Sequence, residues 1–248
     1  SEARAAMREE YADYLATRQR DLVRTGVVRV ETRGDRLDVA AAGEVPGRPL
    51  DQFAFDEHEG TLRVATTVPR VRNAESRNDL YTLDAGSLTV EGSVRDMAPG
   101  QRVFAARYVE ETAYVVTFRR VDPFHVVDLS DPSDPEELGQ VRLPGFSTYL
   151  HPVDESHVLG VGRGNGSAKV TLFDVSDPAE PTVADERPLA DGWSAVAESH
   201  HAFLLDRRHG VAFVPGSSGG HVLDYTGGEL SVETVVRTDR PATRARYV

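Results

Sequence analysis

The sequence predicts an all-β fold built from a repeated unit of four antiparallel strands, and three observations predict it. Apolar and polar residues alternate with period two in short runs rich in Val, Thr, Phe and Tyr, as a strand with one buried face requires. Turn residues cut these runs. Within Thr112–Phe146, Pro132, Pro135 and Pro144 each end one, because proline cannot donate to a ladder. The unit also repeats: its third strand, in DLYTLD, FHVVDL, VTLFDV and HVLDY, carries an acid at Asp84, Asp128, Asp174 and Asp224, spaced by 44, 46 and 50 residues. Four-stranded sheets at that period are the blades of a β-propeller, where each twisted sheet packs its faces on its neighbours. The alternation excludes a stacked helical repeat, and a β-sandwich does not require four acids in register.

The elements follow in order. Residues 1–24 read as a helix, since Ala, Arg, Glu, Leu and Met dominate and Ala6, Met7, Tyr11, Tyr14, Leu15 and Leu22 suit one helical face. The propeller is expected over 25–248. Residues 25–48 supply two outer strands of a partial blade, Val27–Val30 and Leu37–Ala41. Four full blades follow at about 49–101, 102–146, 147–192 and 193–241, and 242–248 starts a further one. Each full blade gives two strands across a short turn, the acid-bearing third strand, and a fourth in LTVEGSV, ELGQVRL, TVADERPL or LSVETVV. Ala245-Arg246-Tyr247-Val248 repeats Ala106-Arg107-Tyr108-Val109 at an offset of 139, about three repeats, so the last residues are expected to be an innermost strand. If the two ends meet, they close a five-bladed ring with one strand missing; otherwise the chain is an arc of a larger ring. The missing strand favours an open or partner-completed arc, because unpaired buried N–H and C=O groups cost about 1–3 kcal/mol each.

Composition narrows the function. The 248 residues are 40% hydrophobic, enough for a sizeable core. No run approaches the roughly 18 apolar residues of a membrane helix, so no membrane insertion by this segment is expected, and SEARAAMREEYADYL lacks the apolar centre of a signal peptide. There are no cysteines, hence no disulfides and no thiolate metal site. A net charge of −12 with scattered arginines argues against nucleic acid as a partner. Of 28 basic residues only Lys169 is lysine, and this acid-rich, lysine-poor balance suits a halophilic source, with a GC-rich genome as the alternative.

The candidate motifs favour architecture over chemistry. GSSGG at Gly216–Gly220 has the nucleophile-elbow pattern with Ser218 as its serine, but it joins two strands with no helix following, so a flexible hairpin loop is expected. GVGRGNGS at Gly160–Ser167 fits no phosphate loop; within it, Asn165-Gly166-Ser167 is a glycosylation sequon. Asp128, Asp131 and Asp134, echoed by Asp174 and Asp177, have oxygen ligands suited to calcium, yet their repetition beside proline reads as turn chemistry. The eight histidines lack metal spacing, and adjacent His200 and His201 would point to opposite faces of a strand. No catalytic residue, metal site or cofactor is therefore assigned. Asp56, Arg107, His151 and Arg246 occupy one repeat position on innermost strands, which makes them candidates for a polar ring at a channel mouth; the alternative is inter-blade ion pairs and hydrogen bonds.

GEVPGRPLDQFAFDEHEGTLRVATT, VVTFRRVDPFHVVDLSDPSDPEELGQVRLPGFSTYLHP and LFDVSDPAEP resemble the secreted archaeal and bacterial proteins that carry a C-terminal β-propeller distantly related to WD40 repeats. The resemblance runs from about Thr25 to Val248. It implies an extracellular or cell-surface location and no established biochemical role, and the family offers no catalytic residues. Set against that pattern, these 248 residues are expected to be an arc or fragment without the upstream propeller portion, the signal sequence and an anchor. The expected function is a non-enzymatic exported binding or structural scaffold with a protein or glycan ligand, and with pairing between chains through open blade edges. The alternative is a hydrolase or lyase acting on glycans or peptides from the propeller channel.

Overall fold

The alternating runs become strands in the computed structural model, which describes residues 2–72, 74–119 and 121–246. After α1 (Glu2–Thr17) and α2 (Gln19–Leu22), β1 (Arg24–Arg33) and β2 (Arg36–Pro46) form a two-stranded antiparallel ribbon. Four-stranded sheets follow, each with its strands in chain order. The first contains β3 (Phe55–His58), β4 (Thr61–Val68), β5 (Arg77–Asp84) and β6 (Val90–Met97). The second contains β7 (Arg102–Val109), β8 (Thr112–Phe118), β9 (Val121–Asp128) and β10 (Glu136–Pro144). The third runs through β11 (Phe146–Pro152), β12 (His157–Gly164), β13 (Ser167–Asp174) and β14 (Thr182–Pro188). The fourth runs through β15 (Leu204–Asp206), β16 (Val211–Gly216), β17 (Gly219–Asp224) and β18 (Ser231–Arg237). The chain is thus an all-β propeller fold of four-stranded antiparallel sheets with a short N-terminal helix. Ala242–Arg246, expected to begin an innermost strand, form none: Ala242 N–H instead donates to Gly216 O at 3.1 Å. Tyr247 and Val248 lie outside the described residues.

Two units divide the chain, residues 1–119 with 127–137 and residues 120–126 with 138–248. In the first, Val45, Val64, Tyr81 and Leu83 form one apolar cluster, and Leu80, Met97, Val103, Ala113, Val115, Val127 and Leu129 form another. In the second, a larger core includes Leu159, Val170, Leu172, Val196, Ala212, Val214 and Leu223. In the same unit Phe124 stacks on Phe173 with ring centroids 4.0 Å apart.

Burial follows position in the sheet. β5 and β13 are buried along almost their whole length, because a middle strand is covered on both faces. β10 alternates, and β18 is mostly exposed. The sheets approach so closely that glycine is needed where an outer strand meets a turn. A Cβ on Gly92 in β6 would lie 2.4 Å from Pro132 O, and one on Gly139 in β10 would lie 2.4 Å from Ala179 O. Gly43 in β2 stands in the same relation to Leu88 O, at 2.3 Å. Each of these oxygens belongs to the turn between the third and fourth strands of the next sheet, so β2 packs as an outer strand does.

The apolar stripe of the N-terminal helix is largely exposed: Met7, Tyr11, Tyr14 and Leu22 all face outward, although Arg72 lies 5.0 Å over the Tyr11 ring. Polar residues dock instead. Gln19, buried, donates to Pro69 O at 2.7 Å and Glu75 O at 2.8 Å. Arg20 grips fully buried Asp79 with Nε and an Nη, each at 2.8 Å. Asp79 also accepts from Tyr81 Oη at 2.7 Å and Asp96 N–H at 3.0 Å, which fills its lone pairs and satisfies a carboxylate that burial would otherwise penalise.

Candidate interaction surface

The acids that mark the repeat close turns. Asp84, Asp128, Asp174 and Asp224 end β5, β9, β13 and β17, and each accepts the backbone N–H of Ser87, Ser130, Ser176 or Thr226 at 2.6–2.9 Å. Hydroxyl bonds from Ser176 and Thr226, then the backbone bonds, hold the Asp174 and Asp224 carboxyls below the usual range. Asp131 and Asp177 make the same turn with Ser133 and Ala179. Among the described residues no three His, Asp or Glu side chains converge as metal ligands would.

GSSGG forms the β16–β17 turn, and Asp191 organises it. Asp191 Oδ1 accepts from Ser217 Oγ at 2.6 Å and Ser218 Oγ at 2.8 Å, while Oδ2 accepts from His221 Nε2 at 2.8 Å. In a Ser–His–Asp arrangement the serine hands its proton to the imidazole, whose other nitrogen the carboxylate holds. Here serine and histidine both donate to the carboxylate between them, and the cluster braces a hairpin. Desolvation pushes the Asp191 carboxyl up, but the bonds from Ser217, His221 and Ser218 prevail and hold it at about 2. His200 and His201 do not lie on a strand; a 3-10 turn brings their rings to 3.9 Å. Asn165 is exposed at the tip of the β12–β13 hairpin, where it and Gly166 take φ of 51° and 86°, as a two-residue hairpin turn needs.

Three of the four proposed ring residues are engaged locally. Asp56 lies opposite Arg63 across β3–β4 and accepts from its Nε at 3.0 Å. Arg63 is nearly buried, donates to Glu110 O, and stacks over Tyr108 at 5.2 Å. Arg107 sits over the Phe53 ring at 5.1 Å. His151 Nδ1 is 2.9 Å from Tyr149 Oη, with its ring 5.0 Å from Phe203. Arg246 is exposed and outside any strand. Sequence reasoning missed Arg63, whose only signal was an arginine inside the apolar run LRVATT.

The β1–β2 ribbon is built differently from every other sheet. It has two strands where they have four, and among the described residues no further strand pairs with either edge. Val28, Val30, Leu37 and Val39 leave one face apolar and exposed, from 50% at Val30 to 73% at Leu37. Val30 lies opposite Val39, and Thr32 opposite Leu37. The pairing skips Ala40, which bulges β2 and breaks the regularity of that edge. β1 is free of the bulge. A groove of about 580 Å³, lined by Val27, Val28, Arg29, Leu62 and Leu88 among others, runs where β1 faces the β3–β4 hairpin.

Comparison with known proteins agrees with this architecture. A family profile described as a β-propeller domain matches residues 10–242. An uncharacterized protein of Archaeoglobus fulgidus is 38% identical over 238 residues, covering 96% of this chain and 36% of its own length. Another, from Methanocaldococcus jannaschii, is 34% identical over 218 residues, covering 87% and 34%. The chain therefore spans about a third of the length of the curated relatives it matches. Among solved structures, Chaetomium thermophilum Sqt1 bound to the N-terminus of ribosomal protein L10 aligns with a TM-score of 0.50 at 12% identity, over 68% of this chain and 43% of that one. That likeness is one of fold, and with the profile matching nearly the whole chain, this protein belongs to the β-propeller domain family.

Proposed function

We propose that this chain is a non-catalytic propeller module of an exported or cell-surface protein, that it acts as a structural and binding scaffold, and that its ribbon joins a second copy. The observation that carries the reading is the unpaired, unbulged edge of β1 beside an exposed apolar face. Gly43 packs as an outer-strand glycine, which supports β2 as the outer strand and leaves β1 as the edge that lacks neighbours. Because Arg33 and Arg36 close a two-residue turn, Val30 and Thr32 aim their backbone N–H and C=O at that edge.

Two copies of β1 paired antiparallel about Val30 satisfy both groups. This register sets Arg29 against Glu31 of the second copy and Glu31 against its Arg29, and it continues the apolar face through Val30. Opposite-charge and β-branched cross-strand pairs contribute about 0.2–1 kcal/mol each. The joined ribbons have four strands, the number found in every other sheet. A propeller that holds a polypeptide segment has a precedent in the fold neighbour Sqt1, bound to the N-terminus of another protein. Sedimentation velocity over a concentration series tests the reading: a monomer–dimer equilibrium is expected, and Val30→Lys, which puts two like charges at the dyad, abolishes it. A wild-type chain that stays monomeric at its highest soluble concentration refutes it.

A further inference from the structure

The ends of β4, β7 and β8 frame a second concavity, of about 450 Å³, whose chemistry is opposite to that of the protein as a whole. Arg70, Arg102 and Arg119 line it, on a chain of net charge −12. Their guanidinium groups are poorly neutralised. Arg119 reaches Glu75 only at 3.5 Å, with both side chains about 60% exposed, and an ion pair of that kind contributes little. Arg70 Nε donates to Arg72 O at 3.1 Å, a neutral acceptor, and Arg102 lies 4.6 Å over the Phe104 ring. Among the described residues neither Arg70 nor Arg102 makes an ion pair.

The polar lining residues Ser76 and Gln101, by contrast, already have partners. Ser76 Oγ donates to Gln101 O at 2.6 Å, and Gln101 Oε1 accepts from Thr117 Oγ1 at 3.0 Å. Phe104 and Phe118 meet edge to face with centroids 5.3 Å apart, giving a rigid apolar wall. Bonded polar groups, an aromatic pair and three exposed arginines in one lining match a ligand that alternates carboxylates with apolar groups, since a guanidinium fork binds a carboxylate in two places.

We propose that this cleft binds an acidic polypeptide segment, its carboxylates held by Arg70, Arg102 and Arg119 and its apolar side chains laid against Phe104 and Phe118. The negative charge of the remaining surface discourages unspecific anions and leaves this cleft as the place where one can settle. The site is separate from β1, so it stands or falls independently of chain pairing.

Fluorescence anisotropy with a labelled peptide of alternating Glu and Leu, the matching Lys and Leu peptide, and an oligothymidylate tests the proposal on the whole chain. The acidic peptide is expected to bind, to weaken steadily with added salt, and to lose about tenfold or more in Arg102→Ala and in Arg70→Ala. Arg102→Lys keeps the charge without the fork and should fall between wild type and Arg102→Ala. These arginines are exposed, and far-UV circular dichroism melts confirm that each variant folds. The Val30→Lys chain must bind the acidic peptide as wild type does. The proposal is overturned if the acidic peptide does not bind, if the arginine variants bind it equally well, or if the basic peptide or the oligothymidylate binds more tightly.

Discussion

Replacing Gly92 with alanine should destabilise the protein through a single methyl group. The new Cβ would lie 2.4 Å from Pro132 O and 2.6 Å from Pro135 Cδ, whereas ordinary van der Waals contact begins near 3.4 Å. Something must therefore retreat by about 1 Å in close-packed surroundings. The opposing atoms are a backbone carbonyl and a proline ring in a turn already braced by Asp128 and Asp131, so no flexible side chain can absorb the shift. Overpacking of this kind costs about 1–3 kcal/mol, which at this chain length lowers the melting temperature by roughly 2–4 °C per kcal/mol. Gly139→Ala, 2.4 Å from Ala179 O, should behave alike, and the double variant should lose about the sum. Gly26→Ala supplies the control, because nothing lies within 4 Å of its Cβ position; there the stiffer unfolded chain should leave stability unchanged or slightly raised. Thermal melts followed by circular dichroism read all four. If Gly92→Ala melts with the parent, or Gly26→Ala loses as much, the close sheet-to-turn approach is not what requires glycine.

Arg20→Ala should cost about 3 kcal/mol in urea unfolding by stranding the buried Asp79 carboxylate, and Arg20→Ala with Asp79→Asn should recover part of the loss; a change within about 0.5 kcal/mol would deny the helix its anchor. Asp191 predicts an acid transition. Its carboxyl is held at about 2 in the folded chain against roughly 3.9 unfolded, so its contribution of about 2 kcal/mol is complete above pH 4 and disappears as pH falls toward 2. Asp191→Asn should flatten the fall of the urea midpoint over that interval, and an unchanged slope would count against the assignment. The acidic surface predicts higher denaturation midpoints in added potassium chloride, while full stability without salt would remove the halophilic reading.

Much of the fold was legible because strands announce themselves locally. β-branched alternation and proline depend on the run itself, and the acids at Asp84, Asp128, Asp174 and Asp224 bond to residues two or three places on. What sequence could not show is convergence across distance. Gln19 and Arg20 find partners at Pro69, Glu75 and Asp79, more than forty residues away, and nothing in QRDL distinguishes them from a solvated helix end. The exposure of Met7, Tyr11 and Tyr14 was hidden for the same reason: periodicity shows which residues share a face, not whether anything covers it. The arginine cleft was invisible because its residues come from three strand ends and are diluted among 28 basic side chains. Ala245 and Arg246 open the repeat's wording, yet Ala242–Arg246 form no strand, since a strand needs a neighbour as well as a sequence.

Lys169 is the sole lysine, and it lies inside β13 with its ammonium 2.6 Å from Pro144 O and 2.5 Å from Glu186 Oε2. Its side chain is 3% exposed. Reagents that acylate side-chain amines thus find no target on the folded surface of the described residues. They react at a single internal position, and only when β13 opens. The rate of Lys169 acylation is a built-in clock for the opening of that sheet, readable by mass spectrometry on the unaltered sequence, without an introduced probe.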